Sequence, residues 1–226
     1  MPDRPHILIV NPNTTVATTS AMTALAAAAL DGTNLIARGT TVDAGPSVIT
    51  TPEELSASIP HVVDRVGRSV TAATRAIIVA AIGDPGVDEL RALSPLPVIG
   101  LGEASVREAV SLERPFGMAT STPALAPGLL ALVSRYAPTG TFTGVRVTGS
   151  SAQELAGDEE LERRELHRTV GLCVQDGAEA VIIGGGPLSR SAARLSGPAM
   201  PQIIQPVPSA VSRVLALIGL TAVGAP

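Results

Sequence analysis

The chain has 226 residues, of which 45% are apolar and 1% aromatic, and its 16 basic and 20 acidic residues give a net charge of −4. This length and composition are typical of a soluble α/β protein with a sizeable aliphatic core. Every basic residue is an arginine, which excludes lysine Schiff-base chemistry and a P-loop lysine. Without a basic stripe or aromatic stacking platforms, nucleic-acid binding is not expected.

Cysteine usage, the histidines and the N-terminus narrow the class of protein further. The single cysteine, Cys173, excludes an intrachain disulfide and a cysteine-rich metal site. The three histidines do not cluster and no nucleotide motif occurs, so we expect no metal and no organic cofactor. The N-terminus lacks a signal-peptide core, and no apolar run approaches the roughly 18–20 residues of a membrane span. These features predict a cytoplasmic protein with no membrane partner.

Short apolar runs alternate with helix-like segments through the first half of the chain. Pro60 is expected to kink or split the long helix in which it falls. The predicted elements are strand 7–10, helix 15–30, strand 35–42, helix 52–74, strand 77–81, helix 87–93, strand 98–100 and helix 103–112.

The same alternation restarts near residue 115. The stretch 152–160 is expected to form a mobile surface loop, and Cys173 to lie on the apolar face of a helix. The predicted elements are strand 116–121, helix 123–136, strand 144–147, helix 158–176, strand 180–183, helical turns at 189–195, strand 202–205 and helix 208–217.

Strands that alternate with helices of about ten residues indicate βαβ units and parallel sheets. The restart predicts an α/β fold of two pseudo-symmetric parallel-sheet lobes, with the active-site cleft between them. We assign residues 1–113 to the N-terminal lobe and residues 114–226 to the C-terminal lobe. The closing helix, about 208–218, is expected to pack back on the N-terminal lobe.

Ligands of open parallel sheets bind outside the carboxyl ends of the strands, and four predicted strands end there in polar or glycine-rich turns. The helices that follow present N–H groups that can hold an anion. Each residue is also typical of an ordinary turn or helix cap, so both interpretations stay open. The substrate-binding candidates are Asn11, Asn13, Thr14, Ala81, Ile82, Gly83, Thr120, Ser121, Thr122, Gly185, Gly186 and Pro187.

Three further side chains near these turns are candidates for proton transfer: Asp84, Ser121 and Glu103. Asp84 precedes a proline, which is also typical of a plain turn residue. Glu103 stands where an acidic residue favours the start of a helix, so it has a structural interpretation as well.

Three stretches together resemble the Asp/Glu/hydantoin racemase superfamily, and within it the hydantoin and allantoin racemases. They are Ile-Leu-Ile-Val-Asn-Pro-Asn-Thr-Thr at 7–15, Ala-Ala-Ile-Gly-Asp-Pro-Gly at 80–86 with Pro-Val-Ile-Gly-Leu-Gly-Glu-Ala at 97–104, and Gly-Ala-Glu-Ala-Val-Ile-Ile-Gly-Gly-Gly-Pro-Leu at 177–188. The resemblance covers nearly the whole chain. It implies two facing α/β halves that hold a small carboxylate or cyclic amide, cofactor-free catalysis and assembly into homo-oligomers.

The resemblance also implies two catalytic cysteines, one in each half, and here this sequence departs from the family. The expected cysteine positions fall at Ala81 and Gly185, and neither residue can move a proton. The two-thiol mechanism therefore cannot be carried over, although the resemblance still implies Asn11 and the pair Thr120–Ser121 as carboxylate or carbonyl binders.

Several functions remain compatible with the sequence. One is a cofactor-independent racemase or isomerase that acts on a small carbonyl-bearing carbon acid or cyclic amide without the cysteine pair. A lyase or a cyclase on the same scaffold is another. The remaining two are a non-catalytic protein that binds a small anion, and a racemase from which the cysteines were engineered away.

Overall fold

The computed structural model describes residues 4–137, 139–185, 188, 192, 194–195 and 200–220. The chain divides into two compact units, each described by itself. The first takes its residues from Met1–Ile49, Glu53–Leu101 and Val207–Pro226, and the second from Thr50–Pro52 and Gly102–Pro206. The predicted lobe boundaries, the packing of the closing helix on the N-terminal lobe and the cleft between the lobes stay predictions.

Strands and helices alternate along most of the described chain. In order they are β1 His6–Asn11, α1 Val16–Ala29, β2 Ile36–Thr41, α2 Pro52–Ser69, β3 Thr74–Val79, α3 Val87–Leu93, β4 Val98–Gly100, α4 Leu101–Ser111, β5 Phe116–Thr120, a 3-10 turn Pro123–Leu125, α5 Ala126–Tyr136, β6 Phe142–Val147, α6 Ala152–Gly157, α7 Glu159–Gln175, β7 Ala180–Gly184, β8 Gln202–Ile204 and α8 Pro206–Leu217.

Each unit contains a parallel sheet, and within the described residues both sheets have four strands. The first has the order β2-β1-β3-β4 and the second the order β6-β5-β7-β8. The two sheets therefore repeat one topology, and the α/β fold with two parallel sheets is confirmed.

The strand order fixes where each sheet can bind a ligand. In the first sheet, β2 lies on one side of the central pair β1 and β3, and β4 lies on the other side. The order of the strands along the chain therefore reverses between β1 and β3, which makes that place a topological switch point. β5 and β7 flank the equivalent point in the second sheet. A crevice opens at the carboxyl ends of the two strands at such a point. The turns after β1, β3, β5 and β7 are the ones that carry the predicted site residues.

Burial explains why the central strands consist almost entirely of aliphatic residues. Residues 7–10 of β1 and 76–79 of β3 are fully buried. Both faces of a central parallel strand are covered by helices, so such strands need apolar side chains throughout. The edge strands β2 and β6 are partly exposed and accordingly contain threonine, glycine and arginine.

The second unit has an aliphatic core of its own between β5, β7 and α7. Leu155, Leu166, Val170, Val181 and Ile183 are part of this cluster. Next to it, the ring of fully buried Phe116 lies 5.2 Å from the ring of Phe142, measured between centroids. The two phenylalanines start the neighbouring strands β5 and β6.

Helix α2 is shorter than predicted and is not split by its proline, while a kink at Pro60 stays a prediction. It ends at Ser69 instead of 74, because Thr74 belongs to β3 and its hydroxyl bonds to His6 Nε2 at 2.9 Å. The helix also continues through Pro60 without being split. Pro60 is exposed, so water can bond to the helix carbonyl that lacks its usual N–H partner, while Val62 and Val66 anchor the other face in the core.

The stretch 152–160 was expected to be a mobile loop, and this expectation is wrong. It contains α6 and the start of α7. Ser151 and Glu154 form a capping box at the start of α6, and the Asp158 carboxylate accepts the Leu161 N–H at 2.9 Å at the start of α7. These caps supply the partners that the first turn of each helix needs. The predicted helical turns at 189–195 lie largely outside the described residues.

Candidate active site

The turn after β1 is held together by the side chain of Asn11, which is fully buried. Its amide NH2 donates to Asn13 Oδ1 at 2.9 Å, to Thr15 O at 3.1 Å and to Thr19 Oγ1 at 3.0 Å. Its Oδ1 accepts the Asn13 N–H at 3.2 Å, and Asn13 Oδ1 also accepts the Thr15 N–H at 2.9 Å. The polar atoms of the Asn11 side chain thus already have partners in the turn and in the first part of α1.

Thr14 and Thr15 join this turn to the backbone beyond β2. The Thr14 N–H and hydroxyl both donate to Pro46 O, at 3.1 and 3.3 Å. The Thr15 hydroxyl donates to Ser47 O at 2.7 Å. A substrate-binding role for Asn11, Asn13 or Thr14 stays a prediction, and it would have to coexist with these internal bonds.

The turn after β3 carries four predicted site residues. Asp84 donates its N–H to Ala81 O at 3.1 Å, which closes the turn. Ile82 is buried. A Cβ on Gly83 would lie 2.6 Å from Leu55 Cδ2, so glycine allows the turn to lie close to α2.

Asp84 combines an uncommon backbone conformation with a very close contact. Its φ of 52° is left-handed, a conformation that aspartate tolerates better than most residues. Its carboxylate packs over the backbone of Gly100, where a Cβ would lie 2.1 Å from Asp84 Cγ. Gly100 is the last residue of β4 and directly precedes α4. An anion at this place also favours the start of a helix, so the position of Asp84 is partly structural.

The turn after β5 consists of three buried hydroxyl residues with unequal partners. Thr120 Oγ1 lies 3.0 Å from Thr122 Oγ1. The Thr120 carbonyl accepts the Thr148 N–H at 2.9 Å. Ser121 is only 2% exposed, and its hydroxyl oxygen has no hydrogen-bond partner among the described residues.

Gly185 lies beside this unpaired hydroxyl, at the end of β7. A Cβ placed on Gly185 would lie 3.8 Å from Ser121 Oγ and 3.8 Å from Leu188 Cδ1, with no closer described atom. The φ of Gly185 is 132°, which side chains of L-amino acids rarely adopt. The structure therefore brings Ser121 and Gly185 together, while the other two predicted residues of this turn, Gly186 and Pro187, lie outside the described residues.

Glu103, the third candidate for proton transfer, is buried in an ion pair. Its Oε1 accepts the Arg107 Nε–H at 2.8 Å, one turn further along α4. The Arg107 guanidinium also lies over the Tyr136 ring, 4.8 Å from its centroid. A catalytic role for Glu103 stays a prediction, and this pairing gives the carboxylate a structural role as well.

No group of three or more His, Cys, Asp or Glu in the described part of the chain could hold a metal ion, and no described helix has the length and apolarity of a membrane span. An open groove of about 640 Å³ lies along α1 and β2. It is lined largely by threonine and alanine, and by Arg65, whose guanidinium pairs with Asp43. None of the predicted site residues lines this groove.

Cys173 lies in the aliphatic core of the second unit, as its predicted place on the apolar face of helix α7 indicated. It is 1% exposed, and its thiol donates weakly to Met118 O at 3.7 Å. Burial raises the pKa of this thiol to about 11, from an ordinary value of 9.0. A protonated, enclosed thiol of this kind is a packing group and not a nucleophile.

This shift predicts a loss of stability in alkali. The unfolded chain ionises Cys173 near pH 9.0 and the folded chain near pH 11, so the free energy of unfolding is unaffected below the first value and falls between them. The full fall is about 2–3 kcal/mol. Urea denaturation of the wild type and of Cys173→Ala across this pH range measures it, because the variant lacks this contribution. Parallel pH dependences of the two proteins would contradict the assignment.

Gly100 and Arg107 contribute to the candidate site although they were not predicted to. The close contact of Gly100 with Asp84 joins residues far apart in the sequence, so no local pattern reveals it. Arg107 had a local signal, because Glu103 and Arg107 are spaced i, i+4 on a predicted helix.

Comparison with known proteins now adds to this geometry. The family model described as Asp/Glu/Hydantoin racemase matches residues 7–214, which is most of the chain. The chain belongs to this racemase family. The resemblance drawn from the three sequence stretches is thereby confirmed, and so is the expectation of an enzyme of the racemase or isomerase type.

Individual members of the racemase family support the assignment over most of their length. A hydantoin racemase from Rhizobium meliloti is 27% identical over 221 residues, which cover 95% of this chain and 89% of the relative. A hydantoin racemase from Pseudomonas sp. (strain NS671) is 30% identical over 183 residues, 79% of this chain and 72% of the relative. The allantoin racemase structure from Klebsiella pneumoniae has a TM-score of 0.85 at 23% identity, with 96% and 89% of the two chains covered, and shows the same fold.

Proposed function

We propose that this racemase-family protein moves a proton at the acidic carbon of a small carbonyl-bearing carbon acid or cyclic amide, such as a hydantoin or allantoin. The proposal includes catalysis without a cofactor and without the cysteine pair, since Ala81 and Gly185 stand at the positions that the resemblance gives to the cysteines. The main observation in support is the repeated switch point, at which both sheets of a racemase-family chain end in polar or glycine-rich turns.

The roles of the candidate residues follow from what each group can do. The carboxylate of Asp84 can accept and return a proton, which the neutral hydroxyl of Ser121 does poorly. Ser121 can instead donate a hydrogen bond to a carbonyl oxygen that gains negative charge as the proton leaves. Glu103 is proposed as a second acid–base group, in competition with its ion pair to Arg107.

Solvent-deuterium exchange tests this function. We expect single enantiomers of a 5-substituted hydantoin or of allantoin to exchange the hydrogen at the acidic carbon faster with the protein than in buffer alone. Proton NMR measures the exchange and polarimetry measures racemisation. Binding without any exchange above the buffer rate would contradict catalysis and favour a non-catalytic protein that binds a small anion.

A lyase or a cyclase would be recognised in the same assay by its products. Either enzyme changes the mass or bond connectivity of its substrate, whereas racemisation changes neither, so mass spectrometry separates them from a racemase. A homo-oligomeric state and a cytoplasmic location stay predictions.

If this protein is a racemase from which the cysteines were engineered away, racemase activity should return in the double variant Ala81→Cys, Gly185→Cys. The left-handed φ of Gly185 weighs against that outcome, because a cysteine there needs a different backbone path. Polarimetry of the double variant with a single hydantoin enantiomer measures whether racemisation returns.

A further inference from the structure

Strand β2 forms an open edge of the first sheet. It is the outermost strand on its side, and no described strand pairs with it on the side away from β1. The N–H groups of Ile36 and Val42 bond to carbonyls of the β1 segment. Because the backbone groups of successive residues in a strand point alternately to its two sides, those of Ala37, Gly39 and Thr41 point away from the sheet. These residues thus present donors and acceptors with which another strand can pair.

The surface beside this edge has few of the features that usually prevent pairing. Exposed edge strands are normally protected by charges, prolines or a covering element. β2 contains no proline and one charged residue, Arg38, and no residue of α1 is charged. The groove of about 640 Å³ runs along the same edge, and among the described residues that line it Arg65 alone is charged and pairs with Asp43. A second strand can therefore approach the α1 side of this edge without burying an unpaired charge.

We propose that this edge is the contact between two copies of the chain, with β2 of one copy antiparallel to β2 of the other and the two sheets joined into one. A residue whose backbone groups point outward must then face another such residue, because only these two can exchange hydrogen bonds. Two registers satisfy this condition with the longest overlap, one centred on Arg38 and the other on Gly39. The first places two arginines directly opposite each other, which destabilises a strand pair. The second places Arg38 opposite the partner's Thr40, so charge selects the register centred on Gly39.

Helix α1 fits the same arrangement. The two-fold axis of an antiparallel strand pair stands perpendicular to the sheet, so the α1 helices of both copies lie on one face. Because α1 packs on β1 and β2, its axis stands about one strand spacing, roughly 5 Å, from the two-fold axis. The two helices are then roughly 10 Å apart, which is close to contact distance. Such an approach requires small side chains, and the exposed Ser20, Ala24 and Ala27 of α1, which line the groove, are of this kind.

Cysteine cross-linking tests the register, because position 38 faces position 40 of the partner and neither position faces itself. Arg38→Cys and Thr40→Cys are co-expressed, oxidised and separated by electrophoresis without reductant. We expect several-fold more disulfide-linked dimer from the mixture than from either variant alone, since directly opposed residues lie within the roughly 4.4–6.8 Å that a disulfide spans between Cα atoms. The wild type is the blank, because Cys173, its only cysteine, is buried. Linkage of Arg38→Cys alone, or no linkage in the mixture, would overturn the register.

Ala37→Pro tests the interface itself. The Ala37 N–H points away from β1, so proline removes a donor to the partner's Thr41 and leaves the bonds to β1 in place. We expect the wild type to sediment with at least twice the 22.8 kDa mass of the chain, and Ala37→Pro with half the wild-type mass and an unchanged circular dichroism spectrum. Ala37→Ser is the matched control, because it keeps the N–H, and it should keep the wild-type mass.

Sedimentation velocity over a dilution series measures these masses. A wild type that stays monomeric, or a folded Ala37→Pro with the wild-type mass, would show that β2 is not the contact between copies. Neither test measures turnover, so a negative result would leave the proposed function standing.

Discussion

Replacing Asp84 by asparagine should reduce the rate of proton exchange by about 10²–10⁴-fold, the usual contribution of a general acid–base group. Asparagine has almost the same shape and also tolerates the left-handed backbone that Asp84 adopts, so the melting temperature should change little. The amide, however, cannot take up and return the proton. Deuterium exchange at saturating hydantoin, together with a thermal melt, measures both quantities on one preparation.

Gly100→Ala tests the same carboxylate from the other side of its contact. The new Cβ would lie 2.1 Å from Asp84 Cγ, so the carboxylate must move. We expect lower turnover and a loss of about 1–3 kcal/mol in the free energy of unfolding. Gly171→Ala in α7 is the matched control, since a Cβ there meets nothing within 4 Å. It should stabilise the protein by about 0.5–1 kcal/mol and leave turnover unchanged.

Full turnover by Asp84→Asn would contradict a role in proton transfer and would leave Asp84 with only a structural role.

Phe116→Ala should have the largest effect on stability, a loss of about 3–5 kcal/mol in the free energy of unfolding. Phe116 is fully buried at the start of the central strand β5, against Phe142, and the core beside it is aliphatic. Phe142 already packs against Phe116, and the chain has only one tyrosine and no tryptophan besides its two phenylalanines, so its composition supplies little to replace the lost ring. Urea denaturation followed by circular dichroism gives the free energy of unfolding.

A loss of about 3–5 kcal/mol is large, because the whole free energy of unfolding of a typical folded protein is roughly 5–15 kcal/mol. The control is Leu130→Ala on α5, because Leu130 is 46% exposed and contributes little to the core. It should change the free energy of unfolding by less than about 0.5 kcal/mol. Similar losses in the two variants would show that the second core does not depend on Phe116.

The sequence predicted the central strands well because their burial leaves a strong local signal. β1 and β3 are uninterrupted aliphatic runs, and the turns that end them contain proline or glycine. The limits of α2 were harder to predict, since Thr74 is compatible with either a helix end or a strand start. Its bond to His6, which places it in β3, joins residues 68 positions apart. Helix α6 does have a local signal in the sequence, because Ser151 and Glu154 have the spacing of a capping box.

For the candidate site, the sequence predicted the positions of the turns but not the partners of their side chains. Asn11 is the last residue of the buried strand β1, and Ser121 directly follows the buried strand β5, so each puts a polar group at a strand end. The structure gives Asn11 four hydrogen bonds, three within its own turn and one to Thr19 of α1, and gives the Ser121 hydroxyl none to described residues. Such a difference depends on tertiary packing, which local sequence patterns do not show.

The position of a bound hydantoin in a crystal of the intact protein tests the central claim most directly, since that claim is a small-molecule site at the polar ends of the strands. The account predicts that the ligand contacts the turns after β5 and β7, with one carbonyl oxygen within about 3 Å of Ser121 Oγ. A hydantoin bound in the groove along α1 and β2, with Ser121 Oγ still unpaired, would contradict it.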